Sequence, residues 1–329
     1  MPRVDERLPA EQLCLFEMGG VDVRRLRLTA ARWMENGRSV ATKKAYAIGW
    51  ADFEGWCRSA GRATLPALEE TVQLYAVHCL EAGRALATVQ QRLASIVAAH
   101  RQGGQTPPVG YAVRDLMRAA RRKNGTAQRQ KAAIVPAELR KMSAALLRLK
   151  TVRAVRDRAL LVFGFATGMR AGELYALEVS DVRFAAKGVV VWIGRSKTDQ
   201  EGEGREVGIF AGKRAHSCPV RVLKAWLRVR GKEAGPLFAG VDGGDRVQPG
   251  RLNVKTVWRI VRRSVQMIGL DPEPYGAHSL RAGCATAAAV AGAGEIAIMQ
   301  RTGHKSLAVV KRYIRHADVF GVDPLAKAM

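Results

Sequence analysis

Only two stretches of this 329-residue chain read clearly as strand, and they are neighbours. GVVVWIG (residues 188–194) and REVGIF (205–210) are rich in β-branched and aromatic residues and flank a polar loop, RSKTDQEGEG. The rest of the patterned sequence carries helical spacing. One hairpin in a helical chain points to a mostly α protein with a small antiparallel β element.

The helical pattern divides in two. Residues 1–20 lack periodicity and are expected to form a flexible arm. Residues 21–122 are helical throughout. Ser39 is placed to cap a helix through residue 56, in which Tyr46, Trp50, Phe53 and Trp56 recur at three- and four-residue spacing. Further helices are predicted over 71–81, 87–101 and 113–122, punctuated by Gly61, Gly83, Gly103 and Gly104. This is a four- or five-helix bundle. RRKNGTAQRQKAAIVP (121–136) is basic, turn-rich and free of acids. It marks a domain boundary near residue 130, with 123–135 as a basic linker, either a plain tether or a strap along a polyanion. The second domain, 136–329, opens with helices over 137–149 and 152–165. After the hairpin come helices over 220–229, 254–268, 280–290, 295–301 and 306–315, and a short tail at 320–329.

Composition bears on partners. The net charge is +25, from 54 Lys and Arg against 29 Asp and Glu. A charge that large repels itself in the folded state and calls for a polyanion, nucleic acid before an acidic membrane surface. No apolar run reaches the roughly 18 residues that span a bilayer. Acids and prolines stand where a signal peptide would be apolar, so a soluble cytoplasmic protein is expected. The five cysteines are scattered, which argues against a disulfide framework or a zinc site and for small buried hydrophobes.

The chemistry gathers in short motifs. In TGHKSLAVVKRYIRH (302–316), Tyr313 lies among Lys311, Arg312 and Arg315, nine residues after His304. Either its ring packs and leaves the cations to water, or an anion comes to it. FATGMRAGELYAL places Arg170 at a helix start with Glu173 one turn on. GRSKTD puts Lys197 on the hairpin loop, and AHSLRAG sets His278 and Arg281 on one helical face. Singly, these read as a surface ion pair, a solvated lysine, a satisfied helix face and a helix cap. Together they are donors awaiting an anion. Transesterification at a phosphodiester fits: guanidinium forks match the non-bridging oxygens of a pentacoordinate phosphorus, and histidine can move the nucleophile's proton. A phenol has a pKa near 10, and neighbouring cations are expected to favour its phenolate. Tyr313 then serves as nucleophile and Lys197 as the acid that protonates the leaving oxygen. No D-x-D pattern or carboxylate cluster offers a Mg²⁺ site, so the expectation is no metal and no other cofactor.

In order and spacing these motifs resemble the tyrosine recombinases, or phage integrases, over nearly the whole chain. The resemblance implies that Arg170, Lys197, His278, Arg281, His304 and Tyr313 form the active site, with Glu173 supporting it. It implies a two-domain clamp on DNA: a SAM-like core-binding helical bundle and a mixed α/β catalytic domain. Within the family, GRSKT and the set Thr42, Lys44, Trp56, Cys57, Gln90 and Gln91 are most similar to Cre-type members, whereas His304 departs from the tryptophan those carry. The activity implied is site-specific recombination of double-stranded DNA. It proceeds through a 3′-phosphotyrosyl intermediate, a free 5′-hydroxyl and a Holliday junction. A homotetramer on an inverted-repeat target, monomeric or weakly associated when free, would be completed by docking of 320–329 on a neighbour. The setting implied is bacterial, plasmid- or phage-encoded. By the same resemblance, Lys43, Lys44, Gln90, Gln91 and Arg92 are candidates for the major groove, with Lys255 and Arg259 in the second domain; glutamine can bind adenine bidentately. Two rivals stand beside this reading: a type IB topoisomerase, and a catalytically silent DNA-binding protein.

Overall fold

The computed structural model describes residues 22–125, 131–194 and 204–317. The chain forms two compact units, residues 1–128 and 129–329.

Among the described residues the first unit holds five helices: α1 (Val23–Asn36), α2 (Val40–Ser59), α3 (Glu69–Glu81), α4 (Leu86–Gln102) and α5 (Tyr111–Asn124). Ser39 caps α2 as its sequence position predicts, its hydroxyl accepting from Thr42 N at 3.2 Å. The aromatic run of α2 is its core face: Phe53 is fully buried and packs edge-on against Tyr75 of α3. Helices α2 and α4 come close because Gly49 has no side chain; a Cβ there would lie 2.4 Å from Ser95 Oγ. His100 is a core histidine with both ring nitrogens used, Nε2 accepting from Ala67 N and Nδ1 donating to Ile96 O.

The second unit begins with residues 131–134 laid on its own body, Ala132 N donating to Pro274 O and Ile134 N to Ser279 O. Helices α6 (Pro136–Arg148) and α7 (Val152–Thr167) follow. α7 is buried on most of its faces and packs against α6, α9 (Pro219–Arg230) and α11 (His278–Val290), which makes it the axis of the unit. Its N-terminus is closed from a distance by Asp245, whose carboxylate accepts from Val152 N at 2.6 Å and Arg153 N at 2.8 Å. Its C-terminus ends on Gly168 in the left-handed region, φ 63°. A Cβ at Gly168 would also press on Thr302 and Cys284, so only glycine fits. The short α8 (Ala171–Ala176) starts at once from Arg170.

The predicted hairpin is present as β2 (Gly188–Ile193) and β3 (Arg205–Phe210), antiparallel with Val191 opposite Val207. It is not the whole β content: β1 (Val182–Ala185) adds an antiparallel edge to β2, and β4 (Ala239–Val241) pairs with β5 (Val247–Arg251). Helices α10 (Val254–Gln266), α12 (Glu295–Thr302) and α13 (Leu307–Ala317) complete the unit. The mostly helical fold with small antiparallel sheets is therefore as expected. The N-terminal arm and the 320–329 docking segment lie outside the described residues. No helix among the described residues is long and apolar enough to cross a membrane.

Candidate active site

Arg281, on the first turn of α11, is 1% exposed. Its Nη1 donates to the carbonyls of Gly168 and Thr302, the residues that end α7 and α12. Its Nε and Nη2 have no hydrogen-bond partner. Burial, then the like charge of Arg170, pushes its pKa down to about 10, which still leaves it a cation at neutral pH. A buried guanidinium with two idle donors carries a desolvation cost that an anionic ligand would offset.

Arg170 flanks it. As the residue before α8, it forms a reciprocal cap with Glu173: its backbone N–H donates to Oε2 at 3.0 Å and its Nη1 to Oε1 at 2.8 Å. Its Nη2 reaches Gly303 O at 3.3 Å. Burial pushes the Glu173 carboxyl up, but the Arg170 N–H, the Arg205 guanidinium and the Arg170 side chain outweigh it and hold the carboxyl below its usual range. The i,i+3 spacing that reads as a surface pair is thus a nearly buried one.

Tyr313 packs its ring and leaves its neighbouring cations to water. Its ring is buried with Val310, Ala282, Ala285 and Ile298 between α11, α12 and α13, while Lys311 and Arg312 point to water. Its hydroxyl lies 2.9 Å from His278 Nε2, and its ring centroid is 5.6 Å from that of His304. The cations do not win the contest for its proton. Burial raises the phenol pKa above its ordinary value, and the opposing pull of Arg281, Arg312 and Arg170 is smaller. The expected shift toward phenolate is therefore reversed in the DNA-free protein.

Both histidines are held neutral. Partial burial and then Arg281 and Arg170 lower the pKa of His278; the same causes, with His278 and Arg205, drive His304 down to about 3. The tautomer of His304 follows from its neighbour. The hydroxyl proton of Thr302 goes to Ile298 O at 2.6 Å, so Thr302 Oγ1 accepts from His304 Nδ1–H at 2.7 Å, leaving Nε2 with a lone pair. Gly303, left-handed at φ 67°, makes the turn that presents His304 after α12.

The structure thus gathers Arg170, Glu173, His278, Arg281, His304 and Tyr313 around the ends of α7 and α12. Lys197 lies outside the described residues. Arg205, at the start of β3, also enters this group, its Nη2 3.2 Å from Glu173 Oε2; the sequence carries no motif that marks it. Among the described residues no cluster of His, Cys, Asp or Glu side chains is disposed to hold a metal ion.

The candidate DNA contacts are more dispersed. Lys43 and Lys44 are exposed on α2, Gln90 and Gln91 on α4, and Lys255 and Arg259 one turn apart on α10. Gln90 lies beside the guanidinium of Arg121 on α5, which its amide oxygen accepts from when the amide is turned to face it. Arg92 is the exception. It turns inward, donating to Ile48 O at 2.8 Å with its Nε 3.5 Å from Asp52, so it joins α4 to α2 and is a poor candidate for base contact.

Residues 132–319 match the model of the phage integrase family. Over 300 residues, 90% of this chain and 87% of the relative, the sequence is 36% identical to an integrase/recombinase XerD homolog of Selenomonas ruminantium. It is 26% identical to the recombinase Cre of Escherichia phage P1 over 82% of this chain and 81% of Cre. The similarity to Cre that the motifs suggest is therefore real but smaller than that to the XerD homolog. Among solved structures, the XerH site-specific recombinase bound to a palindromic difH substrate, in its post-cleavage complex, has the same fold. Its TM-score is 0.61 at 19% identity, covering 87% of this chain and 78% of that one.

Proposed function

This chain belongs to the phage integrase family, and from that premise we propose how its site works as that of a site-specific tyrosine recombinase, an enzyme that breaks and rejoins DNA. The observation that carries the reading is the pair of idle donors on buried Arg281, beside a tyrosine hydroxyl already within hydrogen-bond reach of a neutral histidine.

The scissile phosphate sits on Arg281 Nε and Nη2, with Arg170 taking a second non-bridging oxygen. Such forks stay charged at any working pH and match phosphate geometry. Arrival of the anion offsets the repulsion between Arg170 and Arg281; it does not favour a free phenolate, so the phenol gives up its proton as it attacks. Tyr313 Oη attacks phosphorus as its proton passes to His278 Nε2, which is neutral and 2.9 Å away. The bond from phosphorus to the 5′-oxygen breaks, and that oxygen leaves as a hydroxyl after taking a proton from Lys197. The product is a 3′-phosphotyrosyl bond and a free 5′-hydroxyl. Because the ester energy is kept, a 5′-hydroxyl from the partner duplex reverses the step without ATP. His304 Nε2, unprotonated, is a hydrogen-bond acceptor in the free site and becomes a donor only once the phosphate raises its pKa.

Family membership supports a homotetramer acting through a Holliday junction on an inverted-repeat target, with the two units clamping the duplex and residues 320–329 docking on a neighbour. It equally supports a protein working on DNA in a bacterial cytoplasm. Lys43, Lys44, Gln90, Gln91, Lys255 and Arg259 are the proposed groove contacts.

The division of labour is tested by replacing the bridging 5′-oxygen at the cut site with sulfur. A thiolate leaves without a proton, because a thiol pKa lies well below that of an alcohol. Lys197→Ala recovers cleavage on the sulfur substrate, whereas Tyr313→Phe stays inactive on both. Failure of sulfur to rescue Lys197→Ala reassigns the proton donor.

A further inference from the structure

Three arginines converge on one turn of backbone. Arg281 and Arg205 both donate to Thr302 O, and Arg170 donates to Gly303 O. Two of these are accounted for by the phosphate site. Arg205 is not, and its placement is specific. It is the first residue of β3, paired across the hairpin with Ile193. Its Nη2 lies 3.2 Å from Glu173 Oε2 and 3.5 Å from Thr302 O. Its guanidinium lies against Gly303, where a Cβ would stand 2.6 Å from Arg205 Cζ.

Glu173 consequently serves two masters. Oε1 holds the Arg170 side chain, while Oε2 takes the Arg170 backbone and Arg205. The turn that Arg205 grips is the one that sets His304, through the bond from His304 Nδ1 to Thr302 Oγ1. Removing Arg205 would leave Oε2 with the Arg170 backbone N–H alone and uncover one face of that turn, and both Arg170 and His304 depend on them.

We propose that Arg205 is a positioning residue for DNA cleavage, which aligns Arg170 through Glu173 and His304 through the Thr302–Gly303 turn. The inference rests on the recombinase reading of this site. A lysine does not reproduce the role, since it has no guanidinium to lie against Gly303 while one nitrogen bonds Glu173 and the Thr302 carbonyl.

The test compares Arg205→Lys and Arg205→Gln with the parent protein, using DNA whose cut site has been read from covalent complexes of the parent. Covalent-complex formation in single turnover is expected to slow on the order of 10- to 100-fold, the scale of losing a group that orients a catalytic residue. DNA affinity should stay within about twofold and the melting temperature should be unchanged. Coupling is the decisive readout. With Glu173→Gln in the background, either Arg205 substitution should add little further loss, because both changes break one linkage. A methylphosphonate at the cut site, which lacks one anionic oxygen, should not restore the variants. Parental rates, fully additive losses, unfolding of both variants, or rescue by the methylphosphonate would each overturn the proposal; rescue would make Arg205 a direct phosphate contact. Absence of any covalent complex from the parent would remove the recombinase reading and this inference with it, whereas normal cleavage by the variants removes this inference alone.

Discussion

Asp157 and Arg281 are both buried charges in the second unit, yet their surroundings differ in kind. Asp157, on α7, is 0% exposed and has both oxygens engaged: Arg156 donates twice to Oδ1, at 2.9 and 2.7 Å, and Arg263 of α10 donates to Oδ2. It ties two helices together and leaves nothing for a ligand. Arg281 is buried beside the like charge of Arg170, with Glu173 opposing it, and keeps two donors empty. A closed network of this sort is architecture. An open one persists because the rest of the fold tolerates its cost and because a ligand completes it. Burial alone does not separate structure from function here; what separates them is whether the polar valences are filled.

The largest expected effect breaks the closed side. Asp157→Ala leaves Arg156 buried without its partner and should cost about 3–5 kcal/mol of stability, read from urea unfolding, as loss of one member of a buried pair generally does. Cleavage per folded molecule should remain within about threefold. If cleavage collapses while the fold survives, Asp157 belongs to the site and the contrast fails.

Arg281→Gln should do the reverse. Cleavage should fall about 10²- to 10³-fold, the range for removing one preorganised donor to a developing oxyanion, with little change in unfolding free energy. A loss of stability matching that of Asp157→Ala would make Arg281 architecture too.

A smaller effect sharpens the contrast through protonation. His304, with its pKa lowered to about 3 by burial and by the arginines, should stay neutral in the free protein as pH falls through the ordinary histidine range near 6.5, as followed by imidazole NMR. In the unfolded chain it would charge in that range. Its lowered pKa therefore contributes stability that is complete above about 6.5 and is lost as pH falls toward 3. Bound DNA, by adding negative charge beside Arg170 and Arg281, should raise the His304 pKa. A free-state titration centred near 6.5 would mean that burial and the cations do not act on it as described.

How much of this is legible in the sequence depends on distance along the chain. The Arg170–Glu173 and His278–Arg281 pairs sit within one helical turn, so spacing alone puts them together, and glycines 168 and 303 mark the turns beside them. Arg205 has its partners 32 and 97 residues away, at Glu173 and Thr302, and carries no local signal. Arg92 looks like a groove-facing cation until Asp52 of another helix is seen beneath it. Strands β1 and β5 were illegible for a different reason. VRFA is four residues long, and VQPGR contains both proline and glycine; each becomes a strand only because a partner pairs with it. The protonation of Tyr313 is not legible, because charge is visible in a sequence and desolvation is not. Three-residue spacing from Val310 puts the ring on the buried face, and there burial outweighs the cations.

If the open centre at Arg281 is where Tyr313 takes a DNA strand, the covalent bond it forms can be mapped. Protein incubated with DNA is denatured, digested with nuclease and protease, and the peptide that carries a nucleotide is identified by mass spectrometry. The account predicts a nucleotide joined through its 3′-phosphate to Tyr313 and no adduct from Tyr313→Phe. An adduct on another residue, a 5′-phosphate linkage, or an adduct that persists in Tyr313→Phe would contradict it.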